Sequence, residues 1–432
     1  MQLQQDQIED FNNKLNDQHT SDFNALAENL SKKGINADSI VNKLTELQVA
    51  TPSWALGTGG TRFGRFPFAG EPSTIDQKLE DTILLKNLTR NTSSISLHIP
   101  WDYPKDTLAL KQMADENGIL FDAINSNTFQ DTSDHKNACN NKSYKFGSLC
   151  HSDAEVRDQA IKHNIECIRM GEELGSKALT VWLADGTTFP GQANFRRQFQ
   201  RVVDSVKEIY KEIPEDWKLL VEHKPFEPAF YSSVNNDWGS SLLIANSVGE
   251  RCLTLVDLGH HLPNTNIEQV VSRMLMQGKL GGFHFNDSKY ADDDLTVGCL
   301  KPYQLFLIFL ELVEFLEGDE INNPPLAWMI DASHNLKDPM EDIIQSLDAI
   351  SIAHAQALLL NRGELETAQD LNDPALCQEL LQDAYRTDVR PLVKESRKRS
   401  GGALNPIAAY RELGCRQKLI EERGLQAVVT GL

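Results

Sequence analysis

Four apolar segments between residues 217 and 331 each run into a residue type that commonly binds a divalent metal. The residues at these four ends are Glu222, Asp257, His284 and Asp331. Parallel strands that are buried on both faces read as continuous apolar runs. A charged or imidazole group at the end of such a strand is costly to bury without a partner. A divalent metal held where the strands end would supply that partner, so the pattern predicts a metal site.

A second set of potential ligands lies close to the first in the sequence. His260 follows Asp257 by three positions, and Asp292 and Asp294 form an Asp-x-Asp pair. Oxygen-rich ligands with a minority of nitrogen favour Mn²⁺, Mg²⁺ or Co²⁺ over a thiolate-type zinc site. Any one aspartate at a strand end is equally typical of a helix cap or a turn. Four successive strand ends with ligands favour the metal, and the second set predicts a second ion.

Four further residues stand at positions that suit contact with a polar ligand. His98 ends an apolar segment, and Lys224 follows Glu222 by two positions, so strand alternation directs these last two side chains to the same side. Trp54 and Trp182 lie near the ends of two other segments, where aromatic walls suit the face of a sugar. The ordinary alternatives are a buried histidine, a salt-bridge lysine and core tryptophans, and the sequence leaves both interpretations open.

Eight strand candidates position these residues, and they mostly alternate with helical stretches such as residues 154–174 and 267–277. The candidates are residues 50–57, 94–100, 121–127, 178–184, 219–224, 253–260, 282–287 and 326–333. Eight β/α alternations predict an α/β fold of the (β/α)8 TIM barrel type. In such a barrel the active site lies at the C-terminal ends of the strands. The metal ligands would therefore meet at one mouth of the barrel.

Two segments lie outside the eightfold pattern. We expect residues 1–48 to form N-terminal helices, residues 49–369 to form the catalytic barrel, and residues 370–432 to form a C-terminal helical extension. Because a complete barrel does not require the extension, we expect it to contribute to oligomerisation. Residues 394–399 are mostly basic and precede two glycines, and we interpret this run as the end of a helix rather than as an anion site.

The composition predicts a cytoplasmic protein that acts on a small molecule. A net charge of −20 disfavours a nucleic acid or an anionic membrane as partner. No stretch approaches the roughly 20 apolar residues that cross a bilayer, and the first residues lack the basic and apolar regions of a signal peptide. The seven cysteines are scattered and odd in number, which predicts reduced thiols.

Several longer motifs together resemble the L-rhamnose isomerase family, and most closely its Pseudomonas-type members with broad aldose specificity. The resemblance covers nearly the whole chain, from about residue 20 into the C-terminal extension. The motifs are Pro52-Ser53-Trp54, Gly57-Thr58-Gly59-Gly60-Thr61-Arg62-Phe63, Leu97-His98-Ile99-Pro100-Trp101-Asp102, Asn125-Ser126-Asn127-Thr128-Phe129, Glu222-His223-Lys224, Asp257-Leu258-Gly259-His260-His261, Gly281-Gly282-Phe283-His284-Phe285-Asn286-Asp287-Ser288-Lys289-Tyr290 and Met329-Ile330-Asp331.

The resemblance implies a xylose-isomerase-like TIM barrel, a homotetramer and two divalent metals, usually Mn²⁺, with Co²⁺, Mg²⁺ or Zn²⁺ as alternatives. It implies a structural metal at Glu222, Asp257, His284 and Asp331, and a catalytic metal at His260, Asp292 and Asp294. His98 would help to open the sugar ring, and Lys224 would contact a substrate oxygen. Trp54, Phe129 and Trp182 would line the pocket, and Phe63 would reach into a neighbouring subunit's site.

The expected reaction interconverts L-rhamnose and L-rhamnulose, with D-allose and D-allulose as secondary substrates. A direct hydride shift between C2 and C1 is favoured, with Lys224 meeting charge on oxygen and a water oriented by Asp331 moving the proton. An enediol route needs a side-chain base beside C2, and no free carboxylate is assigned to that role. The alternatives are a ketose 3-epimerase or other aldose isomerase, a metal-dependent phosphoesterase and a non-catalytic sugar-binding barrel. Residues 134–141 form a longer loop than the resemblance leads one to expect.

Overall fold

A computed structural model describes residues 3–57, 66, 68–131, 142–227, 229–290, 292–317, 325–332 and 336–425. Eight strands of this part of the chain form one parallel sheet, in which they pair in the order of the chain. They are β1 Thr51–Pro52, β2 Ser94–Ile99, β3 Leu120–Ser126, β4 Ala178–Trp182, β6 Lys218–Glu222, β8 Cys252–Asp257, β9 Leu280–Phe285 and β10 Ala327–Ile330. Two further short strands, β5 Gly186–Thr187 and β7 Ser232–Ser233, form an antiparallel pair.

Ala50 closes the sheet into a barrel. Its backbone N–H donates to the carbonyl of Trp328 at 2.7 Å, and its carbonyl accepts from the N–H of Ile330 at 3.1 Å. These bonds join β1 to β10, so the described sheet has no free edge at this point. The predicted (β/α)8 fold class is therefore confirmed.

The first strand is much shorter than its prediction of residues 50–57. β1 has two residues and continues as a 3₁₀ turn, Ser53–Ala55. Pro52 has no N–H to donate to a neighbouring strand, so hydrogen-bonded pairing stops there. The turn carries Trp54 over the C-terminal mouth of the barrel. The other predicted strands agree with the structure to within a few residues, although Lys224 and His260 lie in the loops beyond their strands.

Helices surround the barrel, and further helices precede and follow it in the chain. Among the described residues they are α1 Gln5–Asn13, α2 Asn16–Lys32, α3 Ala37–Glu46, α4 Ile75–Thr89, α5 Thr107–Glu116, α6 Ala154–Leu174, α7 Phe195–Tyr210, α8 Trp238–Val248, α9 Ile267–Met276, α10 Pro302–Glu317, α11 Pro339–Leu358, α12 Arg362–Asp370, α13 Pro374–Arg386, α14 Arg390–Arg399, α15 Pro406–Glu412 and α16 Cys415–Arg423. No single helix among them is long and apolar enough to cross a membrane, although α11 and α12, bent by 64°, reach that length and composition as a pair.

The C-terminal helices pack against the chain's own N-terminal helices and barrel. In the basic run of α14, Lys398 donates to Asn16 at 2.6 Å, Arg399 donates to Asp38 at 2.6 Å, and Arg397 pairs with Asp348 of α11. These charges are engaged within the chain, in agreement with the interpretation of the run as a helix end. The expected role of the extension in oligomerisation stays a prediction.

Gly282 allows β9 to approach β10 closely. A Cβ atom at this position would fall well inside the contact distance of the Ala327 carbonyl oxygen and 2.8 Å from the Ala327 Cβ. Since Ala327 is the strand partner of Gly282, an added methyl group must push two neighbouring strands apart. Backbone shifts of this kind typically cost about 1–3 kcal/mol.

We therefore expect Gly282→Ala to lower the free energy of unfolding by about 1–3 kcal/mol. The measurement is denaturant unfolding with a chelator present, so that metal binding does not contribute. Gly363→Ala is the matched control, because the nearest atom to its added Cβ would be 3.9 Å away. In a helix this control should be neutral or slightly stabilising. Equal stability of the two variants would contradict the close-approach argument.

Candidate active site

The structure brings together the four residues of the first predicted ligand set. Glu222 ends β6, Asp257 ends β8, His284 is the last residue but one of β9, and Asp331 follows β10. One ligand atom from each lies within 4.8 Å of the others. Parallel strands place their C-terminal ends at the same mouth of the barrel, so the cluster follows from the topology.

The imidazole of His284 lies at the centre of the three carboxylates. Its Nδ1 is 3.2 Å from Glu222 Oε1, 3.3 Å from Asp331 Oδ2 and 3.8 Å from Asp257 Oδ2. Glu222, Asp257 and His284 are buried, and Asp331 is partly exposed. A single ion placed among these atoms would meet three oxygens and one nitrogen, the donor set of a hard divalent cation.

The electrostatics of the cluster also fit a cation. Burial raises the pKa of Asp257 to about 7; His260 opposes the rise, while the neighbouring charges of Asp331 and Glu222 add to it. Among the described residues, no hydrogen-bond donor reaches Asp257 Oδ2, although this oxygen is buried. An unsatisfied buried oxygen next to two more carboxylates is costly, and a bound divalent cation would remove that cost.

Neighbouring donors fix the orientation of two of the predicted ligands. Asp257 Oδ1 accepts from the Gly259 N–H at 2.7 Å and from Asn286 Nδ2 at 2.9 Å. Asp331 Oδ1 accepts from Trp54 Nε1 at 2.7 Å. Partners of this kind orient metal ligands and tune their basicity. Trp54 therefore has a polar contact in addition to its predicted place in the pocket wall.

The second predicted ligand set is only partly assembled. His260 lies between the two sets, with Nδ1 3.1 Å from Glu222 Oε1 and Nε2 3.0 Å from Asp292 Oδ1. Lys224 Nζ contacts the other oxygen of Asp292. Asp294 lines the same cavity. Within the described part of the chain, the first set forms a compact group, whereas the three members of the second set do not.

A cavity of about 370 Å³ opens above the ligands. Phe129 packs edge-on against Trp182, with ring centroids 4.4 Å apart, and His98 stacks on Trp101 at 4.1 Å. The ammonium of Lys224 lies 4.8 Å from the ring of Trp182. The cavity thus combines aromatic rings with charged side chains, which suits a molecule with both C–H faces and hydroxyl groups. Its aromatic lining is Trp54, His98, Trp101, Phe129, Trp182 and Phe230.

The backbone of His98 is bound to a buried ion pair. Its backbone N–H donates to Asp102 Oδ2 at 2.7 Å, and Lys78 Nζ donates to Asp102 Oδ1 at 2.6 Å. The hydroxyl of Ser53, which precedes Trp54, also donates to Asp102. Burial lowers the pKa of His98 to about 3, so its ring is neutral at neutral pH. One carboxylate therefore anchors two parts of the cavity wall.

Sequence reasoning gave no role to several residues that line the cavity or support its wall. Asn125 pairs in register with His98 across β2 and β3, and a comparison of polar strand ends would have found it. Asp102 and Trp101 directly follow the second strand candidate, which was a usable signal. Glu227 and Phe230 lie in the loop after β6, where no pattern in the sequence singles them out. Phe63 and residues 134–141 lie outside the described residues.

Comparisons with known proteins agree with this architecture. The model of the xylose isomerase-like TIM barrel family matches residues 91–354, a range that includes all seven predicted metal ligands. A protein of Mesorhizobium japonicum named a probable sugar isomerase is 53% identical over 403 residues, 93% of this chain and 92% of that protein. A protein of Rhizobium meliloti with the same description is 50% identical over 404 residues, 94% of this chain and 93% of that protein.

Among solved structures, an L-ribulose 3-epimerase superposes with a TM-score of 0.54 at 14% identity. The match covers 76% of this chain and 98% of that one. At this level of identity the likeness concerns the fold alone.

Proposed function

The chain belongs to the xylose isomerase-like TIM barrel family, and we propose that it is a metal-dependent aldose–ketose isomerase. The observation that carries the proposal is the cluster of Glu222, Asp257, His284 and Asp331 at the floor of an aromatic-walled cavity. Two relatives with half or more of their residues identical are named as sugar isomerases, which supports a monosaccharide as the substrate.

We propose two divalent metals for each subunit, with Mn²⁺ preferred. The first set of ligands would hold one ion, and His260, Asp292 and Asp294 would hold the other. When bound, such ions polarise the carbonyl and hydroxyl oxygens of an open-chain sugar. The oxygen-rich donors with imidazole nitrogen support Mn²⁺, Co²⁺ or Mg²⁺ over a thiolate-type zinc site.

The side chains of the cavity would perform the remaining steps. The Lys224 ammonium, 5% exposed, would donate to the substrate oxygen on which negative charge develops. The neutral ring of His98 would contact the ring-oxygen region of the closed sugar and assist its opening. Asp331, which accepts from Trp54, would orient the water that moves a proton between O1 and O2. Phe129 and Trp182 would cover the C–H face and exclude bulk water.

We propose L-rhamnose and L-rhamnulose as the preferred pair, with D-allose and D-allulose as secondary substrates. We further propose a cytoplasmic homotetramer in which Phe63 closes a neighbour's pocket. Phe230 lines the cavity while 70% exposed, and the nearby Phe195 and Tyr231 are also exposed and lie 6.3 Å apart. These exposed aromatics support a cover from another subunit.

An aldose deuterated at C2 tests the reaction directly. With Mn²⁺ present, we expect ketose to form and the deuterium to appear at C1, because a hydride shift keeps the hydrogen within the substrate. Mass spectrometry and NMR of the product measure the position of the label. Wash-out of the label into solvent would contradict the hydride shift and indicate an enediol with a protein base.

A ketose 3-epimerase is the second candidate function, and Glu227 is the observation that favours it. This carboxylate lines the cavity and does not belong to either ligand set. Proton exchange at C3 of a ketose requires acid–base groups on both faces of that carbon. Incubation with D-allulose distinguishes the two functions, because the isomerase yields an aldose and the epimerase yields D-fructose.

A further inference from the structure

Glu227 has a strained backbone at the wall of the cavity. Its φ is +72°, in the left-handed region that a residue with a Cβ atom rarely adopts. Such a conformation is unfavourable for a residue with a Cβ atom and persists only where the surroundings fix it. Its side chain lines the cavity and is 22% exposed. The strained turn therefore directs a carboxylate toward the place where charged groups meet.

The carboxylate of Glu227 faces Lys224. Its Oε2 lies 3.8 Å from Lys224 Nζ, while the same ammonium contacts Asp292. Lys224 is buried and also lies over the ring of Trp182. The ammonium thus contacts two carboxylates, of which only Asp292 belongs to the second ligand set.

A cation in the second set would compete with Lys224 for Asp292. One oxygen of Asp292 faces His260, and the other faces the ammonium. A divalent ion that binds this carboxylate would lie within a few ångströms of a buried positive charge. In a partly buried site, two like charges this close repel strongly. The ammonium needs a second negative partner if both are to be present.

We propose that Glu227 is a positioning residue that holds the Lys224 ammonium at the cavity wall when a divalent cation binds Asp292. The inference rests on the second metal site of the proposed function. Glu227 neutralises the ammonium in place of Asp292, and Lys224 moves toward it while remaining in the cavity. The strained turn after β6 contributes to this arrangement, because it places the Glu227 carboxylate beside Lys224.

A double-mutant cycle with Mn²⁺ as the probe tests the coupling. Its members are the wild type, Glu227→Gln, Lys224→Met and the double variant, each titrated calorimetrically with Mn²⁺. Glu227→Gln keeps the shape and removes the charge. We expect it to weaken the lower-affinity Mn²⁺ site about tenfold, the scale of one charge interaction in a partly buried site. In the Lys224→Met background the same substitution should have a much smaller effect, because no ammonium remains to be neutralised.

Glu314→Gln is the matched control, since that carboxylate is ion-paired at 2.8 Å with Arg362 on the outer helices. Circular dichroism and thermal unfolding confirm that each variant is folded. Unchanged Mn²⁺ affinity in Glu227→Gln, or an equal loss in both backgrounds, would overturn the inference. Binding of a single Mn²⁺ with the same affinity in the wild type and in all the variants would also overturn it. If the double-mutant cycle shows the expected coupling but the protein converts no sugar, the proposed isomerase function is refuted and the inference about Glu227 still holds.

Discussion

Removal of divalent metal is expected to abolish turnover of an aldose, and added Mn²⁺ or Co²⁺ is expected to restore it. His284→Ala and Asp257→Asn should lower turnover by at least about a hundred- to a thousandfold, the range over which loss of transition-state charge stabilisation acts. Metal analysis of the purified variants should show the loss of an ion, because each substitution removes a donor from a four-ligand cluster. The measurements are ketose formation and metal content in the same samples.

The free energy of unfolding gives a second measurement of the same site. We expect Asp257→Asn to change it in opposite directions in metal-free protein and in protein with Mn²⁺ bound. In metal-free protein, Asp257→Asn removes one of three clustered carboxylates and should raise stability. With Mn²⁺ present the wild type gains stability in proportion to the logarithm of metal concentration over its dissociation constant. The variant should gain much less. The variant is therefore more stable than the wild type without metal and less stable with Mn²⁺. A simple loss of packing would not produce this reversal.

Asp81→Asn provides the control for this comparison. Asp81 is also a buried carboxylate, bound by Arg423 at 2.7 Å, and it lies outside the cavity. Its substitution should lower stability with and without metal, and it should leave metal content unchanged. Full turnover by a thoroughly chelated protein, verified by metal analysis, would refute the assignment.

The strand ends made the barrel and the clustering of the first predicted ligand set predictable. Apolar segments that stop at Glu222, Asp257, His284 and Asp331 carry information about burial and about direction, since parallel strands meet at one mouth. The backbone that follows a strand carries much less information. Lys224 and His260 lie in loops, and their side-chain positions depend on tertiary contacts that no local pattern encodes. The second ligand set, which depends on such loops, is accordingly less compact than the first.

Glu227 and Asp102 are two further residues whose roles a local sequence pattern does not predict. The left-handed turn at Glu227 is set by its surroundings rather than by residue preference, because glutamate disfavours that conformation. Asp102 contacts the backbone of His98 and the side chains of Lys78 and Ser53. Those partners come from three separate elements, so the network becomes visible only once the barrel has assembled. Pro52, in contrast, was a readable sign that the first strand would be short.

Lys224→Met should separate catalysis from metal binding. The substitution keeps an unbranched side chain against Trp182 and removes the ammonium that would meet charge on a substrate oxygen. We expect kcat to fall by about a hundred- to a thousandfold, as for the loss of one donor to a developing oxyanion. Mn²⁺ affinity should stay the same or increase, because Asp292 would no longer be shared with the ammonium. Steady-state kinetics and calorimetric titration measure the two quantities.

These opposite directions distinguish a catalytic lysine from a structural one. If Lys224 served only to neutralise the carboxylates of an empty site, bound metal would take over that role. The variant would then retain its kcat once saturated with Mn²⁺. If Lys224 instead braced the loop that carries the second ligand set, metal affinity and kcat would fall together. Lys177→Met is the control, since that lysine pairs with Asp216 on the surface and should change neither quantity. A fall in kcat with undiminished metal affinity therefore requires an ammonium that acts on the substrate itself.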